Sequence, residues 1–215
     1  FDKKEGGISS LKYNGFEYIT RTPKVSFWRA MTDNDTGASE PYNLAQWYSA
    51  GKFAKYKTVS WLEQEDALKI TFTYQAACVP TFEFTVTYTA HFDGRLGVCI
   101  NYVGVSGMPD MPVLALDFKM KKQLCNFQYY GLGPDENYSD RCKGARLGLW
   151  KSTAKENLSG YLNPQECGNR TGVRTLSVHD DMQHGLAFQK SSAPFEMSVL
   201  PYSAYELENA MHLDE

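Results

Sequence analysis

The sequence predicts an all-β fold of antiparallel strands with one or two short helices. Three observations carry that expectation. In "FEFTVTYTAHF", Phe82, Phe84, Val86, Tyr88, Ala90 and Phe92 alternate with Glu83, Thr85, Thr87, Thr89 and His91, which is the period of a half-buried strand. Asp93-Gly94 then separates this run from a second alternation through Val98, Ile100 and Tyr102, as in a hairpin. Aromatic residues reach 14%, with 14 Tyr and 12 Phe, and such rings suit a pleated surface.

The remaining elements follow along the chain. "PYNLAQWYSAGK" reads as a short helix with Leu44, Trp47 and Tyr48 on one face and Gly51 near its end. "ALKITFTY" repeats the strand alternation through Leu68, Ile70, Phe72 and Tyr74. Further strands are expected at 113–120, 124–130, 173–179, 185–190 and 195–200, with turn signals between them. In "SAYELENAM", Ser203 and Glu206 stand three apart as a capping box at the start of a second helix. No repeat or low-complexity linker divides the 215 residues, so one domain spanning 1–215 is expected. Its opening and closing residues read as those of a piece cut from something longer.

Composition narrows the function. The net charge is −3 and the pI is about 5.9. Lys and Arg form no basic stripe, which argues against nucleic acid. No apolar run approaches the ~20 residues that span a bilayer, and no signal peptide is visible. Cys78, Cys99, Cys125, Cys142 and Cys167 are odd in number and form no C-x-x-C pair. They suggest neither a disulfide framework nor a zinc site. Reduced thiols in a cytoplasmic protein are the expectation, with a periplasmic parent as the alternative.

Two stretches gather polar chemistry. "FWRAMTDNDTG" holds Trp28, Arg29, Asp33, Asn34 and Asp35. Its glycine falls fifth from Asp33 and its twelfth position is Leu44, so it is not an EF-hand loop. Asp and Asn favour turns by bonding their own backbone, and Arg29 could bridge the loop by a bidentate contact with a carboxylate. "GLGPDENYSDR" holds Glu136, Asn137, Tyr138, Asp140 and Arg141 behind Gly131, Gly133 and Pro134, which direct the backbone. A carboxylate pair would suit a glycosidase if held at the right separation, but spacing in sequence gives no separation in space. The histidines His91, His179, His184 and His212 stand in no metal-ligand spacing. "HDDMQH" reads as a polar loop.

Taken together, these stretches resemble a known family. "FWRAMTDND" and "GLGPDENYSDR" are similar to two signatures of the C-terminal domain of glycoside hydrolase family 2 β-galactosidases. "YLNPQECGNRTGVR" and "LPYSAYELENAMH" resemble two further segments of that domain, in the same order and spacing. The resemblance covers essentially the whole chain. Met31 stands where the family has Pro, Ser139 replaces Pro, Asp135 replaces Gln, and Cys167 interrupts a family segment.

The resemblance implies an antiparallel β-supersandwich, similar to galactose mutarotase, and truncated here at its C-terminal side. It implies a parent that hydrolyses terminal non-reducing β-D-galactosides such as lactose with retention. Both catalytic glutamates would lie in a TIM barrel outside this chain, so the isolated chain is expected to be inactive. The partners implied are that barrel, the parent's other domains and, in the complete enzyme, the galactoside; the parent is expected to be oligomeric. The loops at 27–37 and 131–141 would be scaffolding near the pocket, folded against each other. The parent would use Mg²⁺ and Na⁺ or K⁺. A monovalent cation site built of backbone carbonyls would map onto Asn163, Pro164, Leu207 and Ala210. No cofactor is otherwise expected in this fragment. Three other readings remain: an independent carbohydrate-binding module, a mutarotase-like module using His91 or His184 with a carboxylate, and an oligomerisation domain.

Overall fold

The computed structural model describes residues Phe1 to His212. In chain order, three short strands come first: β1 (Lys12–Tyr13), β2 (Phe16–Glu17) and β3 (Lys24–Ser26). Three helical segments follow: α1 (Asp33–Gly37), α2 (Glu40–Asn43) and α3 (Ala45–Lys52). Next come β4 (Lys55–Glu63), β5 (Ala67–Gln75), β6 (Glu83–His91), β7 (Leu96–Asn101) and β8 (Ala115–Asp117). The C-terminal part contains β9 (Asn126–Gly133), β10 (Arg146–Thr153), β11 (Arg170–Val173), β12 (Thr175–His179), β13 (Gly185–Gln189), β14 (Phe195–Met197) and α4 (Ala204–Asn209). All strand pairs among the described residues are antiparallel. No helix among them is long and apolar enough to cross a membrane.

The chain gathers into two compact units, one of 1–11, 21–29 and 34–119, the other of 12–20, 30–33 and 120–215. The first is built on the sheet β4-β5-β6-β7, with β3 pairing β8. Its interior is aromatic. Phe27 is fully buried and meets Phe84 and Phe82 edge-on, at 5.2 and 5.7 Å between centroids. Trp47 and Tyr102 close around the same ring, and the Trp47 indole N–H donates to the Pro109 carbonyl at 3.1 Å. Gly51 lets α3 approach β3, because a Cβ there would stand 2.7 Å from the Val25 carbonyl oxygen.

The alternation in β6 is as the sequence predicts. Phe84, Val86 and Tyr88 are buried, while Glu83 is exposed and Thr85, Thr87 and Thr89 are intermediate. Phe92 departs from it and is 76% exposed. The strand ends at His91, and the Phe92 N–H turns aside to the Asp66 carbonyl. Once the backbone leaves the pleat, alternation no longer assigns a face. Val98 is also partly exposed, because β7 is the edge of its sheet.

The second unit is built on the sheet β10-β9-β12-β13 and the pair β11-β14. Phe127, Tyr129, Leu176 and Val178 are its buried face. Among the described residues four short helices are present rather than one or two. The expected N-terminal helix is broken into α2 and α3 around Leu44, and Asp33–Gly37 forms a helical turn instead of an irregular loop. The capping box of α4 is complete: Ser203 Oγ accepts from the Glu206 N–H at 3.3 Å, and the Ser203 N–H donates to Glu206 Oε2 at 2.7 Å.

Candidate functional site

The two polar stretches form separate constellations. In the first unit, Arg29 grips Asp35 with both arms, Nη1 to Oδ2 at 2.6 Å and Nη2 to Oδ1 at 3.0 Å. This is the bidentate geometry that suits a planar guanidinium. Trp28 beside it is buried, with its ring edge-on to Tyr48 at 5.4 Å. Asn34 is exposed.

In the second unit Glu136 is a hub. Its Oε1 accepts from Arg141 Nη2 at 2.8 Å and the Tyr161 hydroxyl at 2.5 Å. Its Oε2 accepts from the Gly168 N–H at 2.7 Å and the Ser159 hydroxyl at 2.8 Å. Burial alone would raise the Glu136 pKa, but Tyr161, Gly168, Ser159 and Arg141 together hold it below the ordinary glutamate value. Gly168 can present its N–H because it sits at φ +72°, where a side chain would also collide with Asn157.

Asn137 next to it is buried and uses its whole amide. Nδ2 donates to the carbonyls of Leu132 and Asp135, both at 3.0 Å. Oδ1 accepts from the Thr171 N–H at 3.0 Å and hydroxyl at 2.6 Å. The Tyr138 ring lies under the Arg141 guanidinium at 4.7 Å, and burial raises its hydroxyl pKa. Asp140 is exposed, and Arg141 turns to Glu136 instead. Gly133 has no room for a side chain, since a Cβ would collide with the Tyr129 hydroxyl and come within 2.8 Å of Trp150.

A third cluster joins residues far apart in sequence. Asp33 accepts from Asn163 Nδ2 at 3.1 Å and Gln165 Nε2 at 3.0 Å, and these two amides lower its pKa. The Met31 N–H donates to Glu208 Oε2 on α4 at 2.7 Å. This bond ties segment 30–33 to α4.

The described arginine pairs thus lie within their own loops: Arg29 with Asp35, Arg141 with Glu136. Sequence reasoning missed Tyr161, Ser159, Gln165 and Glu208 as partners. No spacing rule joins Asp33 to Gln165, 132 residues away; only the quoted "NPQECGN" segment marked that region. "HDDMQH" proves to be the β12–β13 hairpin. There the buried Asp180 carboxylate accepts from the His184 N–H at 2.8 Å and lies 3.0 Å from His184 Nδ1. Among the described residues no three His, Cys, Asp or Glu side chains gather as a metal-binding set.

Comparison with known proteins gives these constellations a context. The family model described as β-galactosidase small chain matches residues 1–215. The chain belongs to the β-galactosidase small-chain family. It is 38% identical over 210 residues to a β-galactosidase of Streptococcus thermophilus, matching 98% of this chain and 20% of that protein. It is 40% identical over 215 residues to a β-galactosidase of Lactobacillus delbrueckii subsp. bulgaricus, matching 100% of this chain and 21% of that protein. It is 33% identical over 245 residues to a β-galactosidase small subunit of Latilactobacillus sakei, matching 100% of this chain and 76% of that subunit. The chain thus spans about a fifth of the length of the first two relatives.

Proposed function

We propose that the chain is the non-catalytic accessory domain, 1–215, of a family 2 β-galactosidase that hydrolyses terminal β-D-galactosides such as lactose with retention. Its role is to pack on the catalytic barrel and help complete the sugar pocket. One observation carries the non-catalytic reading: the two least exposed carboxylates of the signature loops, Glu136 and Asp35, are already committed. Retention needs a nucleophile and an acid/base about 5–5.5 Å apart. Glu136 accepts four donors and stays ionised, so it offers neither a proton nor a free nucleophilic oxygen. Asp35 has both oxygens on Arg29. The loops then act by holding the backbone near the pocket, not by chemistry.

The test is hydrolysis of a chromogenic galactoside by the purified chain beside the complete enzyme. No turnover by the chain alone is expected. Turnover lost on Glu136→Gln or Asp35→Asn would overturn the reading.

The cation part of the reading rests on the third cluster. A monovalent ion would be held by the carbonyls of Asn163, Pro164, Leu207 and Ala210. Segment 30–33 bonds both to Asn163 and to Glu208 of α4, so the two halves of that ligand set are tied to one strap. Leu207 and Ala210 stand at the end of α4, where helix carbonyls lack helical N–H partners and the dipole is negative. A lower melting temperature of the complete enzyme when Na⁺ and K⁺ are replaced by a bulky organic cation is the expected readout. The parent's Mg²⁺ is assigned to no residue of this chain.

A second reading is a mutarotase-like module, favoured by the contact of His184 with Asp180. It predicts galactose anomerisation by the chain that is lost in His184→Asn.

A further inference from the structure

Asn14 and Gly15 form the tip of the β1–β2 hairpin, and Asn14 is the only asparagine of the chain followed by glycine. Tyr13 pairs with Phe16, and φ is +48° at Asn14 and +79° at Gly15, as a two-residue hairpin turn requires. Asn14 is exposed, and its side-chain amide bonds to none of the described residues. Gly15 is equally open, since a Cβ there would meet nothing within 4 Å. The hairpin is a sheet of its own with two residues in each strand, and so short a pair opens readily. The similar turn at Asp93-Gly94 is protected. There Arg95 holds both carboxylate oxygens, through its N–H at 3.0 Å and its Nε at 2.6 Å. The buried Asn137, Asn157 and Asn169 have their amides committed to backbone carbonyls.

We propose that Asn14 is a self-modifying site, where the chain converts its own amide to aspartate and isoaspartate. When the hairpin opens, the Gly15 nitrogen gives up its proton to hydroxide and attacks the Asn14 side-chain carbonyl carbon. Glycine leaves that nitrogen unhindered. The new C–N bond closes a succinimide ring, the bond to Nδ2 breaks, and Nδ2 leaves as ammonia with a proton taken back from water. A second water opens the ring. Cleavage at the side-chain carbonyl gives aspartate; cleavage at the backbone carbonyl gives isoaspartate, whose main chain runs through the former side chain. Water is the only co-reactant, so the site stands apart from the galactosidase reading. Isoaspartate lengthens the turn by one carbon, and Tyr13 and Phe16 then lose their register. Phe16 lies flat on the His184 ring, 4.5 Å between centroids and 8° between planes, and is drawn off it by the longer turn.

The experiment incubates the complete enzyme at mildly alkaline pH and maps its tryptic peptides. The peptide Tyr13–Arg21, released by cleavage after Lys12 and Arg21, holds no other asparagine. It should gain about 1 Da and split into two chromatographic peaks, faster as the pH rises, before any other asparagine peptide of this chain changes. Gly15→Ala should lose the product over the same interval, because the methyl group shields the attacking nitrogen. His184 should react faster with diethyl pyrocarbonate in the isoaspartyl enzyme, and no faster in Asn14→Asp, which keeps the backbone unchanged. A peptide that stays intact in the folded enzyme while the urea-unfolded enzyme yields the product would overturn the proposal. So would equal rates in Gly15→Ala and wild type, or an earlier change at another asparagine of the chain. Equal His184 reactivity in the isoaspartyl enzyme and in Asn14→Asp would overturn the link to Phe16. Galactoside hydrolysis is read in none of these arms, so failure here and failure of the accessory-domain reading are told apart.

Discussion

In the sheet β4-β5-β6-β7 the interior is made of rings, while around Glu136 it is made of hydrogen bonds. Phe27, Phe82, Phe84, Trp47 and Tyr102 touch at 4.8–6.3 Å between centroids. Their cohesion is non-directional and spread over many contacts. Glu136 and Asn137 instead satisfy specific donors and acceptors, and each partner left alone would be a desolvated polar group. The aromatic region should therefore tolerate a change of shape and fail on loss of volume. The polar region should do the reverse, failing on changes that keep volume and alter only charge or donor pattern.

The largest expected effect tests the first half. Phe84→Ala removes a ring that is 3% exposed and should cost about 3–5 kcal/mol, read as a shift in the urea midpoint. Phe84→Leu should cost markedly less. Equal losses in the two variants would break the contrast.

The next effect tests the polar half. Glu136→Gln keeps the shape but turns an acceptor into an amide donor, facing either Gly168 and Ser159 or Arg141 and Tyr161. A loss of about 2–3 kcal/mol is expected. The same group gives a pH dependence with a defined sign. Its folded pKa is depressed below the ordinary 4.5. Its stabilisation is therefore complete above that value and fades as pH falls through the lower folded value. Wild type should lose stability in that acid window by more than Glu136→Gln does, in unfolding curves collected from neutral pH downward.

Smaller effects sharpen the same contrast. Ser203→Ala removes the N-cap of α4 and should cost about 1 kcal/mol, with Ser203→Asp close to wild type. Phe92→Ser should change stability by less than about 0.5 kcal/mol, although Phe92 continues the apolar alternation of β6. A large loss there would mean that Phe92 is covered in the protein measured.

The contrast also explains what could be read from the sequence. β5 and β6 were legible because one face of each is buried and period two survives. The capping box was legible because it is local, spanning Ser203 to Glu206. β4 was missed because it is an edge strand with mostly exposed or intermediate residues, so no apolar face stands out. β10 was missed for the opposite reason. Trp150 points to the core face, while Leu147 and Leu149 point outward, so apolar residues on both faces erase the alternation. In the polar region the residue types were legible and the partners were not. Arg29 with Asp35 and Arg141 with Glu136 are near in sequence. Glu136 with Gly168, and Asp33 with Gln165, are joined only by the folded chain. Hydrogen-bond donors carry no periodicity that a single sequence could display.

The path of the backbone between the two units has a consequence for how the protein is made. Segments 12–20 and 30–33 belong with 120–215, while 1–11, 21–29 and 34–119 form the other unit. Ile19 bridges to Met120. A ribosome adding about 5–20 residues per second finishes residue 19 roughly 5–20 seconds before it reaches residue 120. During that interval the early segments of the later unit must wait without their partners while the residues of the other unit are made. A gene cut at any single point could not yield both units whole, and a nascent-chain arrest series should show protease resistance arriving in two steps, the second only after the C-terminal sheet has emerged.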